Sequence, residues 1–248
     1  MLVTQTIAPT AQVSASENQI LAQLGREARE RLYASLTNPN WLILRRRRQL
    51  FTDWLKRLPQ TGLWVLDVGG RIQPYRSLLG QACERYVAVD IQMTPLVDVV
   101  GKAEELPLRD NQFDLVFCTQ VLEYIAEPAL AISEIRRVLK PGGWLLLSVP
   151  AIFPQDSEVE YWRFLPPAIR RLLSGFSTVD LAPEGNSIVG MLRTANVGLF
   201  MFAKPHLLKR LLQFTVIPLL NLFGAALGAL ISDKSNRFSA NFSALAQK

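Results

Sequence analysis

One histidine, His206, and two cysteines, Cys83 and Cys118, are all that 248 residues offer in imidazole and thiol. A site built on two imidazoles is therefore excluded, a multi-bridge disulfide scaffold cannot form, and no Cys/His cluster has zinc-ligand spacing. Charge is also sparse: 19% of residues carry one, against 49% apolar, which excludes a disordered chain and supplies a sizeable core. The first twenty residues lack both a basic stretch and an apolar stretch, so no secretory signal is expected and a reducing cytoplasm is the expected compartment. No internal repeat is found.

The charge that is present is unevenly placed. Of a net +6, nearly all lies in residues 1–60, where nine lysines and arginines face four acids around Arg45-Arg46-Arg47-Arg48. Such a run fits a solvated helix face, an anionic membrane surface or nucleic acid. The apolar stretch near the C-terminus puts the membrane surface ahead and makes nucleic acid the poorer partner.

Residues 1–16, rich in Ser, Thr, Ala and Gln, read as a disordered tail. Residues 17–60 read as a helical extension with helices over Glu17–Tyr33 and Trp41–Leu58, the second with Leu50, Phe51, Trp54, Leu55 and Leu58 on one face. From 61 onward short apolar runs alternate with amphipathic stretches: Leu63–Val68, Tyr86–Val89, Asp114–Cys118, Trp144–Val149 and a weaker Phe176–Leu181. A helix opens at Pro128, turns Leu130, Ile135, Val138 and Leu139 inward and closes at Gly142-Gly143. Near-continuous apolar strands between helices predict a mainly parallel sheet covered on both faces.

Ligands of such sheets bind beyond the carboxyl ends of the strands, where the winding direction switches. The first strand leaves Asp67-Val68-Gly69-Gly70 there, and the second ends in Asp90, placed to accept hydrogen bonds from two ribose hydroxyls. A dinucleotide turn requires G-x-G-x-x-G. Here Gly70 is followed by Arg71-Ile72-Gln73-Pro74, and Asp67 would repel a phosphate and attract an ammonium group. An acid beside glycines whose N–H groups turn outward fits a bound amino acid.

With these residues in view, Trp64–Pro150 resembles the class I S-adenosylmethionine-dependent methyltransferases, in particular methyltransferase type 11. The matching blocks are VLDVGG (65–70), YVAVD (86–90), AEELPLRDNQFDLVFCTQVLEYIAEP (103–128) and EIRRVLKPGGWLLLSVP (134–150). The resemblance implies an α/β fold, a Rossmann-like three-layer sandwich whose mainly parallel seven-stranded sheet has an antiparallel last strand, read at Ser239–Gln247. It implies S-adenosyl-L-methionine as cofactor, held by Asp67, Gly69, Gly70, Asp90, Ala103, Glu104, Thr119 and Gln120. Three departures stand out: Arg71 for the usual third glycine, Lys102 where an acid often meets the adenine amine, and Tyr124 for the histidine of the LEH block.

A sulfonium methyl donor needs a nucleophile held in line more than it needs a metal. Tyr124, Glu160 and Tyr161 are candidates for a general base, and Arg163 for an anchor of an anionic acceptor. Gln155-Asp156 stands where relatives carry a His-Pro pair before the acceptor loop. Methyl transfer to a small molecule, lipid-linked or saccharide, is the leading reading. A non-catalytic protein that binds S-adenosylmethionine or a nucleoside is the alternative, and an NAD-dependent dehydrogenase a more distant one.

Leu211–Ile231 carries no charge over 21 residues. Length alone would let it span a bilayer, but a single span would strand the last strand on the wrong side. Pro218, Asn221, Gly224 and Gly228 break the run, predicting a helical hairpin inserted over 205–232, lying over the site or in the interface of a membrane's inner face together with Arg45–Arg48.

Overall fold

In the computed structural model, which describes residues 15–155, 157–231, 233 and 235–248, β1 (Leu63–Val68) is an interior strand of a seven-stranded sheet. Beside it run β2 (Cys83–Asp90) and the two-residue β3 (Val99–Val100) on one side. On the other side stand β4 (Phe113–Thr119) and β5 (Leu139–Pro150), all parallel. The sheet is completed by β7 (Asn241–Gln247), inserted antiparallel between β5 and β6 (Thr178–Pro183), giving the order 3-2-1-4-5-7-6. The expected fold class is thus the observed one.

Period-two alternation divides the sheet residues between two layers. Leu66 and Val68 of β1 and Val116 and Cys118 of β4 face α3 (Pro128–Val138) and α4 (Pro166–Leu172). Val65, Leu115 and Phe117 face α2 (Trp41–Leu55), whose Phe51 and Trp54 are fully buried. Phe51 packs edge-on against Tyr75 at a centroid distance of 4.7 Å, which ties the extension to the turn after β1.

Several boundaries differ from expectation. Helix α1 (Ala15–Leu32) already includes Ala15 and Ser16 of the tail expected over 1–16, whose other residues, 1–14, lie outside the described residues, as does Asp156. Helix α2 stops at Leu55, and Leu58 is buried in the following turn instead. Helix α3 ends at Val138: Leu139 begins β5 opposite Phe113, and Pro141, which has no N–H to give, prevents helix continuation. Gly142, at φ +77°, therefore shapes the entry to β5 rather than a helix cap, and Leu130 faces solvent.

The insertion between β6 and β7 begins at Ser187, not near 205. It contains α5 (Ser187–Phe202), α6 (His206–Phe214) and α7 (Val216–Leu230). The break falls at Thr215, whose φ of −122° and ψ of −71° leave the helical region. Pro218 sits harmlessly in the first turn of α7. The other three expected breakers are contact points. Buried Asn221 donates to the carbonyls of Leu36 and Asn38. A side chain at Gly224 would meet Leu42 of α2 at 2.8 Å, and one at Gly228 would meet Val189 of α5 at 2.6 Å, so the glycines are what let α7 approach both helices.

The arginine run does not form one solvated face. Arg47 falls on the inward stripe Ile43–Arg47–Leu50–Trp54 and is buried in an ion pair with Glu184. Arg45 stacks on Trp41 and Arg48 on Tyr33, and the exposed members of the run are Arg45 and Arg46.

Candidate active site

The strand order reverses between β1 and β4, and a cavity of about 590 Å³ opens at their carboxyl ends. Gly69, Asp90, Ala103, Glu104, Thr119 and Gln120, all predicted from sequence, line it, together with Arg71 and Lys102. Gly69 has φ +76°, and a side chain there would collide with Val121 on the opposite wall. Gly70 sits behind it, where an added Cβ would lie 2.8 Å from the Asp67 carbonyl. The pair keeps the cavity floor as bare backbone.

Two expectations about this turn need correction. The N–H groups of Gly69 and Gly70 do not face a ligand; both donate to the Val89 carbonyl, at 2.8 and 3.1 Å. The parallel pairing of Val68 with Val89 brings that acceptor under the turn. Asp67 does not line the cavity either: it is buried and accepts a 2.7 Å hydrogen bond from the Tyr86 hydroxyl. Besides Arg71, the cavity is lined on this side by Arg31 of α1, which also lies close enough to Asp67 to act on its titration. Nothing in its local sequence marks Arg31, because only the packing of the extension over the strand ends brings it there.

Burial raises the Asp67 carboxyl from 3.8 to about 7, with the Tyr86 hydrogen bond opposing. A carboxyl with a raised folded pKa favours the folded state most below about pH 4, and that contribution is lost as pH rises through about 7. Asp67→Asn is expected to flatten the fall in stability across this window by on the order of 3–4 kcal/mol. Thermal unfolding followed from pH 4 to pH 8 measures it; an unchanged slope would contradict a buried, titrating Asp67.

The β4 tip carries the next group of residues. Gln120 is held at φ +56°, a conformation few non-glycine residues adopt, by hydrogen bonds from its N–H to the Ser148 carbonyl (2.8 Å) and from its amide to the Ser148 hydroxyl (3.2 Å). Its side chain thereby stands between the first cavity and a second one of about 360 Å³, and Tyr124 shares that position. The other predicted chemical residues are arranged differently. Arg163 is held within its own loop by Glu160 (2.8 Å) and the carbonyls of Phe153, Pro154 and Trp162, so it pins the loop rather than awaiting an acceptor. Glu160 lines the second cavity as the partner of that arginine, while Tyr161 is exposed and lines neither cavity.

Glu123 is not among the site residues predicted from the sequence. It is buried, lines the second cavity, and burial raises its carboxyl to about 7. Its backbone carbonyl accepts from the N–H of Tyr161 (2.8 Å), so the loop after β5 is tied to the turn after β4. No group of three or more His, Cys, Asp or Glu able to hold a metal occurs among the described residues.

Comparison with known proteins agrees with this geometry. Residues 66–147 match the family model described as a methyltransferase domain. An uncharacterized methyltransferase of Mycobacterium bovis is 37% identical over 103 residues, covering 38% of this chain and 41% of that protein. The ubiquinone/menaquinone biosynthesis C-methyltransferase of Neisseria meningitidis is 32% identical over 129 residues, covering 50% and 49%. The chain thus spans less than half the length of these relatives. Among solved structures, a SAM-dependent methyltransferase from Archaeoglobus fulgidus superposes with a TM-score of 0.51 at 17% identity, over 89% of this chain and 97% of that one.

Proposed function

We propose that residues 66–147, which match a methyltransferase domain, form a class I S-adenosylmethionine-dependent methyltransferase domain, and that the chain transfers a methyl group to a small-molecule acceptor. The observation that carries this is the cavity at the strand switch, with Asp90 at the end of β2 and bare Gly69 on its floor. The residues present fit the cofactor. Asp90 would accept the ribose hydroxyls, Ala103 and Glu104 would flank the adenine, and Arg31 would face the methionyl carboxylate. When bound, S-adenosyl-L-methionine supplies an electrophilic methyl group on a sulfonium. Gln120 and Tyr124 divide its cavity from the second one, so they would orient an acceptor and exclude water. Isothermal titration tests the reading: S-adenosylmethionine and its demethylated product bind and NAD does not. Binding of neither sulfur ligand would defeat it.

The acceptor side favours a lipid-linked molecule at a cytoplasmic membrane surface. His206–Leu230 is, among the described residues, the one helical stretch long and apolar enough to cross a membrane, with 25 residues and an 18-residue window of mean hydropathy 1.7. Its second half packs on the domain through Ile217, Asn221 and Gly224, which argues for lying on a membrane over crossing it. Phe202, Leu207, Phe214 and Leu230 are exposed, and Lys204, Lys209 and Arg210 stand beside them. An apolar face with adjacent cations suits an anionic leaflet. Vesicles containing anionic lipid are expected to float the protein at low salt and less of it at high salt; recovery of all protein in the soluble fraction at both would contradict the contact.

A further inference from the structure

The second cavity holds two buried ionisable groups that the cofactor reading leaves unused. Arg193 of α5 is 4% exposed. Its Nε donates to Asn40 Oδ1 at 2.9 Å, a terminal nitrogen donates to the Ile152 carbonyl at 3.0 Å, and its guanidinium lies 4.3 Å above the Phe153 ring. These partners are all neutral. Among the described residues it forms no ion pair: Glu184, the acid that acts on it, already binds Arg47 at 2.9 Å, and Arg47 and Arg163 oppose its charge. Glu123, 2% exposed on the same cavity wall, has an Oε2 with no hydrogen-bond partner. A buried cation with neutral partners and a buried oxygen with none are unfavourable until something completes them.

We propose that this cavity receives the methyl acceptor, that Arg193 binds an anionic group on it, of carboxylate or phosphate type, and that Glu123 takes the proton from its reacting hydroxyl. The inference rests on the methyl-transfer reading for the identity of the neighbouring ligand. The acceptor O–H bond breaks with its proton passing to Glu123 Oε2 and its electron pair remaining on oxygen. That oxygen forms the new C–O bond while the C–S bond breaks and its pair returns to sulfur.

The groups acting on Glu123 are Arg47 from α2 and Glu160 and Arg163 from the loop after β5; Glu27, Glu30 and Arg31 of α1 and Arg193 of α5 line the same cavity, and Cys118 of β4 feels the Glu123 charge. Burial leaves Glu123 titrating at about 7, so its base form is present at neutral pH. Burial and Arg47 lower Arg193 to about 10, which keeps it a cation there.

The test uses the full chain saturated with S-adenosylhomocysteine, titrated with sulfate and separately with acetate, with the Arg193 Nε–H resonance observed by NMR. At least one anion is expected to shift that resonance, sulfate more strongly for a phosphate-type acceptor and acetate for a carboxylate. Arg193→Gln should weaken the binding about tenfold or more, the scale of a charged hydrogen bond. It should leave S-adenosylhomocysteine affinity unchanged, and Arg193→Lys should restore part of the anion binding. Sulfate affinity should fall as pH rises through about 7, and Glu123→Gln should abolish that fall. An Arg193 resonance unmoved by both anions in the unmutated protein overturns the anion site, and a pH-independent affinity overturns the role of Glu123. Failure to bind S-adenosylhomocysteine would instead overturn the methyl-transfer reading, which the anion titration does not touch.

Discussion

Replacing Glu184 with alanine should lower the stability of the chain by about 3–5 kcal/mol, the usual result of removing one member of a buried ion pair. Glu184 is completely buried and accepts from Arg47 Nε with both oxygens at 2.9 Å. The hydroxyls of Ser148 and Ser243 donate to its Oε1 at 2.6 and 2.5 Å. Its removal therefore strands a guanidinium and two hydroxyls in the interior. Arg47 also reaches the Tyr75 hydroxyl at 3.4 Å, so one carboxylate joins α2, β5, the end of β6 and β7. Urea unfolding measures the loss. The double variant Glu184→Ala, Arg47→Met should recover part of it, because it removes the stranded charge along with its partner. A loss below about 1 kcal/mol, the scale of a surface pair, would contradict a dry ion pair at this position.

Asp90→Ala should weaken binding of S-adenosylmethionine and S-adenosylhomocysteine by about 10- to 100-fold, corresponding to lost charge-assisted hydrogen bonds. The Gln92 N–H donates to Asp90 Oδ1 at 2.9 Å, which fixes the carboxylate at the rim of the cavity. Two neighbouring ribose hydroxyls are geometrically suited to one carboxylate held in this way. Asp90→Asn keeps one acceptor oxygen and should fall between the two. Isothermal titration gives the affinities, and circular dichroism checks that the variants fold. Unchanged affinity in a folded Asp90→Ala would remove the ribose from this end of β2.

The sheet was readable wherever burial on both faces wrote itself as apolar runs. Leu63–Val68 matches β1 residue for residue, and the antiparallel last strand, expected over Ser239–Gln247 from the family resemblance, forms over Asn241–Gln247 between β5 and β6. Asp90, Ala103, Glu104, Thr119 and Gln120 lie on the cavity because strand ends converge there whatever the loops do. Arg47 was also legible in principle, since it shares the helical period of Ile43, Leu50 and Trp54; its acid, 137 residues away, was not. The facing of the Gly69 and Gly70 N–H groups depends on strand register, which no local pattern states. Asn221, Gly224 and Gly228 read as breakers by propensity, and tertiary contacts with α2, α5 and the loop before α2 made them packing sites instead.

Hydrogen–deuterium exchange of the full chain with and without S-adenosylhomocysteine tests the proposed cofactor cavity most directly. Slowed exchange is expected in peptides covering 68–72, 89–92, 101–104 and 119–125, the segments that line the cavity at the strand switch, and in the end of α1 that carries Arg31. Saturating ligand that leaves those segments exchanging at the free rate, or that protects only other parts of the chain, would contradict a cofactor site there.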